Sequence, residues 1–141
     1  DDGRPVVLEW DRQAAAWLRG NVTGLPTILE ANTPLYRWGS RISIYTGFPT
    51  VIGWDWHQKQ QRSVLPGQLI DRRIEKVRTL FNTADLAQAK ALLDQLHVDY
   101  VYVGQLERYY YDPIGLAKFD QLNPLWRLVY QNEQVKIYQV H

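Results

Sequence analysis

The chain has 141 residues and a mass of 16.5 kDa, is 45% hydrophobic and 22% charged, and carries a formal net charge of +1. That is enough apolar material to fill one core, which argues against a disordered polypeptide and predicts a single domain over residues 1–141. The 16 Lys and Arg against 15 Asp and Glu are not gathered into a basic stripe, so no nucleic-acid partner is expected.

Cys is absent, which removes disulfides, thiolate zinc sites and cysteine nucleophiles together. Met is absent as well and the chain opens Asp1-Asp2-Gly3, so the sequence reads as a piece of a longer protein. No apolar stretch approaches the ~20 residues needed to span a bilayer, and the piece itself reads as soluble.

In chain order, Trp10, Ala14, Trp17 and Leu18 recur at helical spacing and predict an amphipathic helix from about Glu9 to Asn21. Gly24 and Pro26 mark a turn, and Thr27 to Ala31 is an apolar run suited to a buried strand. From Asn32 to Gly53 the helical period is lost among Pro34, Gly39, Gly47 and Pro49. A long loop is expected there, with a brief extended piece at Ile42, Ile44 and Tyr45 and a second strand over Pro49–Gly53. A short helix over His57–Arg62 follows. Ile70, Ile74, Val77 and Phe81 mark a longer helix, and Leu86, Ala89, Leu93 and Leu96 the next, with Thr83 expected as N-cap and Asp85 at the positive helix end. Asp99–Gly104 reads as a third strand and Pro113–Leu122 as a short helix. Residues 126–130 and 135–140, split by the polar turn Gln131-Asn132-Glu133-Gln134, predict an antiparallel hairpin. The expected fold is a layered, Rossmann-like α/β sheet with about three parallel strands, flanking helices and the hairpin at one edge.

Such an alternation invites a nucleotide, but the first strand is followed by Asn32-Thr33-Pro34-Leu35, and no Gly-rich phosphate loop occurs. His57, His97 and His141 lack metal-motif spacing, and no nucleophile elbow is present, so neither cofactor nor metal is expected. Aromatic residues make up 13% of the chain, and Tyr36, Trp38, Tyr45, Phe48, Trp54 and Trp56 crowd one segment together with Arg37, Arg41, His57 and Arg62. Rings cover the apolar faces of sugars and guanidinium groups bind phosphate in two-pronged fashion, so the segment suits a sugar or a lipid-linked phosphate. The same aromatics also serve as packing groups, and Arg41 and Arg62 as pins for loop carbonyls. A second group, Glu107 and Arg108, stands at the carboxyl end of the third strand, where sites gather in open α/β sheets. Asn21-Val22-Thr23 matches a glycosylation sequon.

Glu30-Ala31, Tyr36, Gly39-Ser40-Arg41-Ile42-Ser43, the string Thr46-Gly47-Phe48-Pro49-Thr50-Val51-Ile52-Gly53-Trp54, His57, Tyr100–Gly104 and Glu107-Arg108 together resemble the C-terminal part of the "YYY" family. These are bacterial and archaeal polytopic membrane proteins, known by an uncharacterised-domain label and similar to the GT-C membrane glycosyltransferases. The resemblance implies an extracytoplasmic domain on a transmembrane region, held at the cell membrane. It further implies sugar transfer from a polyprenyl-phosphate donor, with the catalytic carboxylate outside this piece. The domain would then be noncatalytic alone and assist recognition of donor or glycan acceptor through Tyr36, Arg41, Thr46, Trp54, His57, Arg62, Glu107 and Arg108. The sequence departs from the family pattern at Gln58, Gln61, Lys76 and Phe81, and an amide at 58 cannot serve as acid or base. The alternative is a non-enzymatic structural or interaction domain that binds a partner protein or surface polymer.

Overall fold

The computed structural model describes residues 3–34, 37–53 and 67–141. The chain runs α1 (Leu8–Asn21), β1 (Ile28–Leu29), a 3₁₀ turn (Trp38–Ser40), α2 (Arg41–Thr46), α3 (Gly67–Asn82), α4 (Leu86–Gln95), β2 (Tyr100–Val103), α5 (Gln105–Tyr110), α6 (Pro113–Ala117), a second 3₁₀ turn (Lys118–Asp120), β3 (Trp126–Gln131) and β4 (Lys136–Val140).

The strands form one sheet in the order β1-β2-β4-β3, with β1 and β2 parallel and the hairpin β3–β4 added antiparallel beside β2. The fold is therefore mixed α/β, and the expectation of three parallel strands is corrected. Among the described residues the segment Pro49–Gly53 contributes one parallel bridge, Thr50 to Ile28, instead of a strand. Val51 and Ile52 are instead buried in the core, and Gly53 turns the chain away at φ 69°.

Period-two alternation in β2 and β4 divides the core into two layers. Val101, Val103 and Tyr138 point to one face, where they meet Val77, Leu80 and Phe81 of α3 and Ala89 and Leu93 of α4. Tyr102, Ile137 and Ile28 point to the other, against Ala14 and Leu18 of α1 and Ile42 of α2. Each large apolar side chain so buried contributes about 1.5–3 kcal/mol, and helices pack on both faces of this short sheet.

Local chemistry sets the element ends. Asp85, rather than Thr83, is the N-cap of α4 and accepts from the backbone N–H groups of Ala87 and Gln88 at 2.9 and 3.2 Å. Thr83 supports it by accepting from Asp85 N at 3.2 Å. At the hairpin turn Asn132 Oδ1 accepts from Gln134 N and Val135 N, at 3.0 and 2.9 Å, and its amide donates to Trp10 O at 3.0 Å, tying the hairpin to α1.

Two stretches expected to be extended or loop are helical. Arg41–Thr46 is α2 although Ile42, Ile44 and Tyr45 favour strands, because Glu30 caps it from a distant part of the chain. Gln105–Tyr110 is α5, whose Glu107 reaches back to the Gly104 N–H at 2.8 Å and so satisfies one open donor at the helix start.

Candidate functional site

The carboxyl ends of β1 and β2 carry a cluster of four acidic or basic side chains and one phenol, drawn from four elements and the residue after β1. Asp11 comes from α1, Glu30 follows β1, Arg41 opens α2, Tyr102 lies in β2 and Glu107 in α5. Arg41, Asp11 and Glu107 are wholly buried and Glu30 is nearly so.

Arg41 is the hub. Its Nη2 sits 3.0 Å from Glu107 Oε2, its Nε lies 3.1 Å from Asp11 Oδ1, and its Cζ stands 5.0 Å from the centre of the Tyr102 ring. The Tyr102 hydroxyl donates to Asp11 Oδ1, completing a closed circuit of charge and hydrogen bonds. Glu107 Oε1 also accepts from Ala31 N at 2.7 Å, and Glu30 Oε2 from Ile42 N at 2.9 Å. These last two bonds lash the segment after β1 and the start of α2 onto the sheet end. Gly104 is required here, because a Cβ would come within 2.9 Å of the Tyr102 ring and 3.0 Å of Arg41 Nη2.

The electrostatics are uneven. Burial works against the Arg41 cation, but Glu107 and Asp11 outweigh it and hold the guanidinium above its ordinary value. Burial drives Glu30 up to about 8, with Arg41 opposing the rise and Glu107 adding to it. At neutral pH Glu30 is therefore mainly a neutral acid, and among the described residues its Oε1 has no hydrogen-bond partner. One cation then faces two carboxylates. Burial likewise raises the Tyr102 phenol well above its usual range, so it stays a donor.

With Arg41, Asp11 and Glu107 sealed from solvent, the hydrogen bonds of Glu107 and Glu30 hold backbone at this sheet end. Of the residues expected to bind ligand, Arg41 and Glu107 are brought together as this buried pair. Thr46 is half-buried, donating to Ile42 O at 2.7 Å and accepting from Phe48 N at 3.1 Å at the end of α2. Arg108 is exposed and donates to Gln134 O at 2.6 Å, away from the cluster. Tyr36, Trp54, His57 and Arg62 lie outside the described residues, as does the expected helix over His57–Arg62. Trp38, 48% exposed at the start of the 3₁₀ turn, is the large aromatic that the described part of the loop presents to solvent.

Sequence reasoning missed Asp11, Glu30 and Tyr102 as members of the cluster. The signal for Asp11 was its register, three, four and seven residues before Ala14, Ala15 and Leu18, on the buried stripe of α1. It missed Lys118 too, whose buried ammonium donates to Phe81 O at 3.1 Å and Gly115 O at 2.9 Å, closing the carboxyl end of α3. Burial lowers that ammonium to about 7. Among the described residues no group of His, Asp and Glu is gathered to hold a metal ion, and no helix is long and apolar enough to cross a membrane.

No family model matches the chain, and no curated protein does. Among solved structures, the C-terminal globular domain of an oligosaccharyltransferase from Archaeoglobus fulgidus matches over 98% of this chain and 100% of that one, with a TM-score of 0.64 and 14% identity. The two share a fold. At that identity the likeness to the oligosaccharyltransferase domain is one of architecture, end to end, and the side-chain chemistry must be argued from this chain alone.

Proposed function

We propose that this chain is the globular extracytoplasmic domain of a membrane glycosyltransferase of the GT-C kind, in keeping with its resemblance to the YYY family. Its transmembrane region would carry the catalytic carboxylate and take sugar from a polyprenyl-phosphate donor. This domain would be noncatalytic alone and would help to hold donor or glycan acceptor. The observation that carries the proposal is the end-to-end fold likeness to the C-terminal globular domain of an oligosaccharyltransferase. The buried cluster supports it physically, because Glu107 and Glu30 hold the backbone of Ala31 and Ile42 at one sheet end, on either side of the exposed Trp38.

The test is a transfer assay on the complete gene product in lipid, with labelled polyprenyl-phosphate sugars and a soluble glycan or peptide acceptor. Label should move to the acceptor, and His57→Ala and Trp54→Ala should each cut the rate at least tenfold while leaving the melting temperature within about 2 °C. No transfer across a broad donor panel would refute the enzymatic role and leave a domain that binds a partner protein or surface polymer.

A further inference from the structure

Among the described residues, one motif remains unused by the charge cluster and lies at the opposite end of the sheet. Asn21-Val22-Thr23 is the chain's single match to the Asn-X-Ser/Thr acceptor pattern. Asn21 is the last residue of α1, and Val22 leaves the helix with an extended backbone, φ −115° and ψ 128°. Gly24 then turns the chain at φ 77°. Asn21, Thr23 and Leu25 are all exposed, Leu25 at 77%. The Asn21 amide donates to Trp17 O at 2.9 Å, a bond to the last turn of its own helix that attack at Nδ2 would have to displace. Acceptor, hydroxyl and extended backbone thus stand together in one exposed stretch.

Beside that stretch is a depression of about 430 Å³, walled by Thr23, Leu25, Asp99, Tyr100 and Gln139. It offers an aromatic and polar bed at the foot of Asn21, with room for a first saccharide. The charge cluster gathers at Gly104 beyond the far end of β2, whereas Asp99 and Tyr100 stand at its start.

We propose that Asn21 is an N-glycosylation site, modified by an oligosaccharide from a lipid-linked donor. The amide Nδ2 forms a bond to C1 of the first sugar, the bond from C1 to the lipid phosphate oxygen breaks, the lipid phosphate departs with the electron pair, and one amide proton is released to solvent. The inference rests on the extracytoplasmic placement proposed above, where such donors are used.

The experiment is mass spectrometry of the peptide containing Asn21, from the complete protein purified from its own cell membranes. The peptide should carry a series of saccharide mass increments on Asn21. Asn21→Gln and Thr23→Ala should each abolish them, whereas Thr23→Ser, which keeps the hydroxyl, should retain them. A peptide found only at its unmodified mass, or one whose saccharides survive Thr23→Ala, overturns the proposal. A transfer assay on the same preparation keeps the two ideas apart. Transfer with a bare Asn21 refutes the site and leaves the glycosyltransferase reading, while a saccharide on Asn21 without transfer supports the site and refutes the enzymatic role.

Discussion

Arg41 is the residue on which most depends. Its removal leaves Asp11 and Glu107 as two buried carboxylates with no cation between them, which costs about 3–5 kcal/mol by comparison with other broken buried pairs. Arg41→Ala should lower the melting temperature on the order of 10 °C. Arg41→Lys should recover only part of that, because one ammonium cannot replace a fork whose separate nitrogens meet Asp11 and Glu107. Thermal unfolding followed by circular dichroism distinguishes the three proteins, and equal melting would show that the cluster adds nothing to stability.

Glu30 and Lys118 give stability an unusual dependence on pH. Glu30 is raised from 4.5 to about 8, so the folded chain holds more protons than the unfolded one across that window and stability falls as pH rises through it. Lys118 is lowered from 10.5 to about 7, so the folded chain holds fewer protons there and stability is lost as pH falls through that window. The two effects oppose each other between about pH 7 and 8, where a shallow minimum in melting temperature is expected. Glu30→Gln should flatten the acid limb and Lys118→Met the alkaline one, in melting curves taken from about pH 5 to 9.5.

At the scale of elements, α6 packs on α3 through Gly115, where an added Cβ would lie 2.4 Å from the carbonyl oxygens of Phe81 and Asn82. Both obstacles are backbone and cannot swing aside. Gly115→Ala should therefore push α6 outward, break the Lys118 bond to Phe81 O, and raise amide exchange in the last turn of α3 well before it affects β2.

Elements held by their own periodicity were legible in the sequence. The apolar stripes of α1, α3 and α4, the run Tyr100–Val103 and the hairpin all declare themselves over a few turns or one alternation. Elements held by distant partners were not. The propensities of Ile42, Ile44 and Tyr45 point to a strand, and what overrides them is a carboxylate twelve residues earlier that caps Ile42. The pairing of Arg41 with Glu107 spans 66 residues, so the sequence could show both residues but not that they neutralise each other in the core.

At the scale of the molecule, helices cover both faces of a four-stranded sheet, and the architecture matches the oligosaccharyltransferase domain along nearly its whole length. Charged residues that fold the domain lie sealed beneath one end, and an exposed acceptor motif lies at the other.

Because Asp11, Arg41 and Glu107 neutralise one another in the core, substitutions at the three are coupled through descent. A lineage that loses Arg41 passes through an intermediate with unpaired buried charge unless Asp11 and Glu107 become neutral with it. The three positions should thus change together, from an ion-paired set to an uncharged one. Replacing Asp11, Arg41 and Glu107 together by Leu, Met and Gln should yield a chain closer in stability to the parent than Arg41→Ala is.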